Sequence, residues 1–327
     1  MGERVASLFV NVLVIGGSSF VGRAAVRALV DRGHAVTTFN RGRTPSDTPT
    51  SVVRLFGDRR EDLSALAGLS FDATVDAIAY QRRDVELLFD ALGDRAGYYQ
   101  QISTVAAYEP PSFEGANESA PLLQLGEIDP NAPVTSETYG VLKAECERTG
   151  RELFGLSSGY LRPTYIIGSH DHTLRFPYWV ARLSRGGRVA FPGPRHLPFQ
   201  WIDARDLGEF SARLVEGRVS GAFNVLGPSP SVSFGEMLEV VASRVAPPGT
   251  TLVEIDSARL SDPEWRQRFP LWSGPLAETL MTLDNSAALA QGLLLRPLEE
   301  SVDDTAAWFA DTEWPERWLS DDGGLLD

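Results

Sequence analysis

The sequence predicts an α/β fold, a doubly wound parallel sheet completed by a smaller C-terminal domain. Three observations carry this prediction. From residue 8 to about 105, short runs rich in Val, Ile and Phe alternate with stretches of helical period. Buried parallel strands read as continuous apolar runs, and the crossovers between them as amphipathic helices. A glycine-rich turn joins the first run to the first helix, and at 43% hydrophobic residues the 327-residue chain can bury one large domain or two that share a core.

Taken in order, LFVNVLVI is the first strand and FVGRAAVRALVDRG the first helix. HAVTTFN and SVVRLF are the next strands, and EDLSALAGL has helical period. FDATVDAIAY, RDVELLFDALGD and GYYQQIST then read as strand, helix and strand. A Pro/Ser/Glu-rich loop precedes the helical SETYGVLKAECERTGRELFG, and GYLRPTYIIG is another buried strand. Beyond residue 170, Pro, Gly and aromatic residues become denser. FQWID and DLGEFSARLVEG read as a return to the first domain, and SFGEMLEVVASRV, TLVEI and the segment from DPEWRQRFPLW onward as the second. The expected division is a first domain over 8–170, completed by about 199–227, a second over 171–198 and 228–315, and a loosely ordered tail over 316–327.

Charge narrows the partners. A net charge of −14 opposes nucleic acid and anionic lipid, so neither is expected. Cys146 is the single cysteine, which excludes an intramolecular disulfide, fits a reducing cytoplasmic compartment and reads as a packing residue. LFVNVLVI is too short to span a bilayer, so a soluble protein is expected.

The turn IGGSSFVGR places Gly16, Ser19 and Gly22 at the three positions of a GxxGxxG pattern. Such a turn must be tight, let the backbone approach a pyrophosphate and let the helix pack on the strand. Gly16 and Gly22 supply the first and last needs, Gly17 adds backbone freedom, and Ser19 replaces the middle glycine. Gly16, Gly17, Ser18, Ser19, Phe20, Val21 and Gly22 are therefore the expected phosphate cradle, with the free N–H groups of the helix start facing the anion. The second strand ends in Asn40, Arg41 and Arg43 with no carboxylate, which favours the 2′-phosphate of NADP(H) over the ribose of NAD(H). Asp58 in GDRRED is placed to accept from an adenine amino group.

Lys143 is the only lysine in the chain, and it stands four residues after Tyr139. On a helix these two share a face. A phenol with pKa near 10 is a poor proton-transfer group at neutral pH. An ammonium about 4 Å away, at an effective dielectric of 20, favours the phenolate by roughly 4 kcal/mol, or about three pKa units. A broad guanidinium fits a compact site of this kind less well. With 8 tyrosines in 327 residues, chance alone puts one four places before a lone lysine about one time in 40.

At this point the chain resembles the short-chain dehydrogenase/reductases of the extended type, the NAD-dependent epimerase/dehydratase family. The resemblance rests on IGGSSFVG, GDRRE, ISTVAAYE, YGVLK and LRPTYIIG, and covers roughly residues 8 to 215. With FNRG it looks most like an atypical branch that includes the chloroplast stem-loop-binding proteins and many reductase-like bacterial members. It implies a Rossmann domain in which Thr104, with Ser103 beside it, holds a substrate oxygen. Tyr139 passes a proton, and Lys143 holds the cofactor ribose and lowers the tyrosine pKa. Ala77 and Ala79 join the expected cofactor residues; Tyr80, Tyr165, His172 and Trp201 form the expected substrate set. The resemblance further implies a homodimer built on the YGVLK helix and its neighbour.

Three functions compete. The first is an NADPH-dependent reductase acting on a carbonyl, imine or alcohol of a small hydrophobic or cyclic metabolite. The second is a nucleotide-sugar epimerase or dehydratase; Val105 and Ala106 stand where a dehydratase would carry acidic residues. The third is a non-catalytic RNA-binding or regulatory protein, which the acidic charge opposes. His170, Asp171 and His172 read as loop residues, and no metal is expected. Phe176, Tyr178, Trp179, Arg195, His196 and Trp272 are further substrate-side candidates with packing as the alternative, and Asp203 and Asp206 read as helix caps.

Overall fold

The computed structural model describes residues 9–44, 47–109, 115–258 and 269–310. Its elements, in chain order, begin β1 (Asn11–Ile15), α1 (Phe20–Asp31), β2 (Ala35–Asn40), β3 (Val53–Phe56), β4 (Ala73–Asp76), α2 (Arg82–Leu92), β5 (Tyr98–Ile102), α3 (Tyr139–Phe154) and β6 (Ser158–Pro163). They continue with β7 (Tyr165–Ile167), α4 (Arg175–Ser184), β8 (Arg188–Pro192), β9 (Pro198–Asp203), α5 (Ala204–Gly217), β10 (Gly221–Val225), β11 (Gly227–Ser233), α6 (Phe234–Val245) and β12 (Thr251–Ile255). Among the described residues, α7 (Ala277–Leu280), α8 (Ser286–Ala290) and α9 (Leu298–Phe309) follow.

Two compact units emerge. The first holds residues up to Thr164, Arg205–Val225 and Asp284–Leu294. Its seven-stranded sheet runs β10-β6-β5-β4-β1-β2-β3, and every neighbouring pair is parallel. The central strands are buried on both faces, which is why their sequences do not alternate. Val12 and Val14 pack with Val26 and Leu29 of α1 and Ala212 and Val215 of α5. Leu13 and Ile15, one residue out of phase, pack on the other face with Val85 and Leu88 of α2 and Cys146 of α3. Each fully buried Val, Leu or Ile among these contributes about 1.5–3 kcal/mol. This is the doubly wound α/β fold that the apolar runs predict.

The second unit holds Tyr165–Ala204, Leu226–Leu283 and the residues from Leu295. It contains a β11-β9-β7 sheet and a parallel β12-β8 pair. Its core gathers Phe176, Trp179, Phe199, Phe234 and Val302. A reciprocal cap fixes the start of α6, where Ser233 Oγ accepts from the Glu236 N–H and the Glu236 carboxylate accepts from the Ser233 N–H.

Two expectations need correction. The chain returns to the first unit at Arg205, because FQWID, read as part of that return, forms β9 and pairs with β7 and β11 instead. GYLRPTYIIG divides at Thr164 into β6 of the large sheet and β7 of the small one. The expected tail at 316–327 lies outside the described residues. Among the described residues, no helix is long and apolar enough to cross a membrane.

Candidate active site

The turn between β1 and α1 is dictated by contact. Gly16 has φ +88°, and a Cβ on Gly22 would stand 2.1 Å from the Gly16 carbonyl oxygen. No larger residue fits at Gly22 while α1 packs this closely. Gly17 is similarly enclosed, since its Cβ would lie 2.8 Å from Thr38 Cγ2. Ser19 is the extended residue before α1, and its side chain caps nothing.

Past this turn lies a cleft of about 390 Å³ at the carboxyl ends of the strands, where the sheet order reverses between β1 and β4. Of the expected cofactor residues, Gly16, Ser18, Ser19, Asn40, Arg41, Arg43 and Asp58 line it, joined by Tyr80 from the substrate set. Gly17, Phe20, Gly22 and Ala79 are buried and absent from its lining, and the half-buried Val21 and Ala77 are absent from it as well. After β4, Ile78 and Tyr80 line the cleft while Ala79 is buried. Phe39, Gly57, Ile78, Arg59 and Arg60 also line the cleft and were not anticipated.

The cleft's arginines divide into two kinds. Arg59 donates two parallel hydrogen bonds to the Asp76 carboxylate, both at 2.8 Å, and a further one to the Asp84 carbonyl at 2.5 Å. Burial opposes its charge, but Asp76 outweighs burial and raises the guanidinium pKa above its ordinary value. Arg60 grips the Asp84 carboxylate at 2.6 and 2.8 Å. That carboxylate also accepts from Tyr80 and Gln81 N–H and so caps α2. Among the described residues, Arg41 and Arg43 have no ion-pair partner. The consecutive arginines of GDRRED were the available signal for this cluster; their aspartates lie 17 and 24 residues away.

α3 opens at Tyr139 and carries Lys143 one turn later. Lys143 is 2% exposed, and its ammonium donates to the Ala79 carbonyl at 2.7 Å and the Ile102 carbonyl at 2.5 Å. It also sits 5.1 Å from the Tyr80 ring centroid. Burial lowers its pKa. The Tyr80 and Tyr139 rings are 6.4 Å apart. Burial pushes the Tyr80 phenol up to about 12, with Tyr139 the next cause. Thr104 follows β5 and caps a short 3₁₀ turn, its Oγ accepting from the Ala106 N–H at 3.2 Å. The single lysine thus ties α3 to the chain ends after β4 and β5, leaving one of its three N–H bonds for a further acceptor.

A buried network the sequence reading did not foresee lies behind Thr104. Ser103 donates to Glu147 at 2.6 Å, and Arg162 of β6 grips the same carboxylate at 2.9 and 2.7 Å. Arg162 also donates to the Tyr108 hydroxyl, which donates in turn to Asn224 of β10. Burial alone would raise the Glu147 pKa; the Arg162 hydrogen bonds and charge hold it below the usual carboxylate range. Ser103, beside Thr104, is thereby engaged within the protein.

Tyr165, His172 and Trp201 belong to the second unit. The Tyr165 hydroxyl meets Ser273 at 2.9 Å, and its ring stacks on Phe199, as does that of Trp201. His172 is exposed. The Asp171 carboxylate accepts from Thr173 and from the Arg175 N–H at the start of α4. Phe176 and Trp179 are core residues, and Arg195 pairs with Glu239. Asp203 accepts from Ser301 at 2.6 Å. Burial pushes the Cys146 thiol up to about 12. Among the described residues, no three His, Cys, Asp or Glu side chains gather as a metal site would require.

The cradle left by Gly16 and Gly22, the cleft beyond it and the free arginines at its rim fit a dinucleotide in shape and charge. A 2-alkyl-3-oxoalkanoate reductase of Stenotrophomonas maltophilia is 38% identical over 269 residues, 75% of this chain and 77% of that protein. A chloroplast stem-loop binding protein of 41 kDa from Arabidopsis thaliana is 26% identical over 198 residues. That match spans 56% of this chain and only 49% of the plant protein. The fold is shared with the Bordetella bronchiseptica enzyme WbmG, solved with NAD and UDP (TM-score 0.67, 17% identity, covering 92% of this chain and 95% of that one). It is shared too with human epimerase family protein SDR39U1, solved with NADPH (TM-score 0.64, 21% identity, covering 91% and 99%). Residues 12–225 match the family model itself, and the chain belongs to the NAD dependent epimerase/dehydratase family.

Proposed function

We propose that this chain is an NADPH-dependent reductase that delivers a hydride to the carbonyl of a small hydrophobic metabolite. Family membership supports an NAD(P)-dependent enzyme of the short-chain dehydrogenase/reductase type. The observation that carries the finer reading is the pair Arg41 and Arg43, on the cleft rim just after β2, without ion-pair partners among the described residues and with no carboxylate ending the strand. Two uncompensated guanidiniums match a 2′-phosphate, whereas a 2′-hydroxyl asks for an acceptor. The reductase of S. maltophilia supports net reduction and suggests a 3-oxo acid with alkyl substituents as the substrate class. The RNA-binding alternative draws on the stem-loop binding relative, but the net charge of −14 opposes it.

When bound, the nicotinamide supplies the hydride. Ser18, Ser19 and the N–H groups of the first turn of α1 would hold the pyrophosphate, Asp58 the adenine, and Arg41 and Arg43 the 2′-phosphate. Thr104 Oγ–H donates to the substrate oxygen and orients it. Tyr139 gives its phenolic proton to that oxygen as it becomes an alcohol. Lys143 is held by two carbonyls, so its charge is fixed in place rather than mobile, and its remaining N–H would serve a ribose hydroxyl. We also propose a cytoplasmic homodimer that pairs through α2 and α3, to be checked by sedimentation.

The deciding test is to titrate the purified protein with NADPH and, separately, NADH, following nicotinamide fluorescence. NADPH binding at least tenfold tighter is expected. Preference for NADH, or NAD retained through purification, would move the assignment to an epimerase, and binding of neither would leave a non-catalytic role as the better account.

A further inference from the structure

Residues 41–44 and 47–52, which follow β2, lie in neither helix nor strand, and Asp47 and Thr48 are anchored from two sides. Asp47, four residues past Arg43, is taken by α1: Arg23 Nε and its terminal nitrogen donate to the two carboxylate oxygens at 2.8 and 2.6 Å. Arg27 donates to the Asp47 carbonyl at 2.9 Å and to its carboxylate at 3.4 Å. From the other side, Arg54 of β3 donates to the Thr48 carbonyl at 2.8 Å. Arg23 directly follows Gly22, so the helix that carries the phosphate turn also holds the segment that carries Arg41 and Arg43.

We propose that Asp47 is a specificity-determining positioning residue that clamps the arginine segment to α1 and so presents Arg41 and Arg43 to the cofactor's 2′-phosphate. The inference rests on the NADPH reading above. Its sign separates it from plain electrostatics. A carboxylate near a phosphate repels it, and removing Asp47 would also release Arg23 and Arg27, so charge alone predicts tighter NADPH binding to an Asp47→Ala variant. A clamp predicts the reverse, because the freed segment must be ordered again on binding.

Calorimetric titration of the full chain with adenosine 2′,5′-bisphosphate, NADPH and NADH tests this, using the unaltered protein, Asp47→Ala and the milder Asp47→Asn. The expected result is that Asp47→Ala weakens the bisphosphate and NADPH by roughly tenfold while NADH affinity stays the same. Asp47→Asn should move in the same direction by less. Unchanged or tighter bisphosphate binding in the variants, with NADPH still preferred by the unaltered protein, would overturn the clamp and leave the NADPH reading standing. An unaltered protein that prefers NADH and ignores the bisphosphate would overturn both. If Asp47→Ala lost NADH as well, Asp47→Asn would decide: reduced NADPH preference supports the clamp, and an intact preference refutes it.

Discussion

Lys143 and Tyr139 respond to substitution in different ways. Tyr139 is half-buried at the first position of α3, and Tyr139→Phe removes only a hydroxyl. We expect turnover to fall by about 10²–10⁴-fold with the fold retained, checked by steady-state kinetics beside calorimetry. Lys143→Met should abolish turnover and also lower stability by about 1–3 kcal/mol, because the Ala79 and Ile102 carbonyls lose their donor. Urea unfolding measures that second effect. Equal stability of the two variants would mean that the two carbonyl contacts contribute nothing to folding. The lysine was legible in the sequence because it is the only one; its grip on two backbone carbonyls was not, since backbone partners leave no trace in residue identity.

At the scale of elements, the β1–α1 joint tolerates little change. A methyl at Gly22 would stand 2.1 Å from the Gly16 carbonyl, so Gly22→Ala must push α1 away from β1. A loss of about 1–3 kcal/mol is expected, together with loss of nicotinamide binding, read from the unfolding midpoint and from fluorescence titration. This joint was readable because a tight turn demands a specific residue type at a specific place. β9 was misplaced for the opposite reason. FQWID announces a buried strand, but apolar character does not say which sheet buries it, and its partners come from β7 and β11. The Arg59, Arg60, Asp76 and Asp84 cluster escaped on the same grounds, since ion pairs across tens of residues follow only from the crossing of strands.

For the whole molecule, buried carboxylates set the response to acid. Glu147 and Asp84 have folded pKa values below their ordinary ones, in each case because arginine contacts overcome burial. The unfolded chain therefore takes up protons first as pH falls below about 4.3. Stability from these groups is fully present at neutral pH and is lost as pH drops from about 4.3 through their folded values. Urea midpoints measured from pH 7 to 3 should fall across that window. Glu147→Gln should flatten the slope while lowering stability at neutral pH by about 3–5 kcal/mol, since it leaves Arg162 buried without a counter-charge.

The first unit is assembled from three separate stretches, and the last of them, Asp284–Leu294, is fastened to the first two. Asp284 donates its N–H to the Ala116 carbonyl, and its own carbonyl accepts from the Asn224 side chain. A ribosome releases the chain from its amino end, so when β10 emerges at Val225 the large sheet has all seven strands but lacks the piece whose carbonyl accepts from the Asn224 side-chain N–H. That piece is still unmade, and Tyr165–Ala204 of the other unit has already left the exit tunnel. The usual sequence in which an amino-terminal domain folds first and its neighbour later does not apply. Completion of the nucleotide-binding unit waits on residue 294, which makes maturation of the two units concurrent during synthesis.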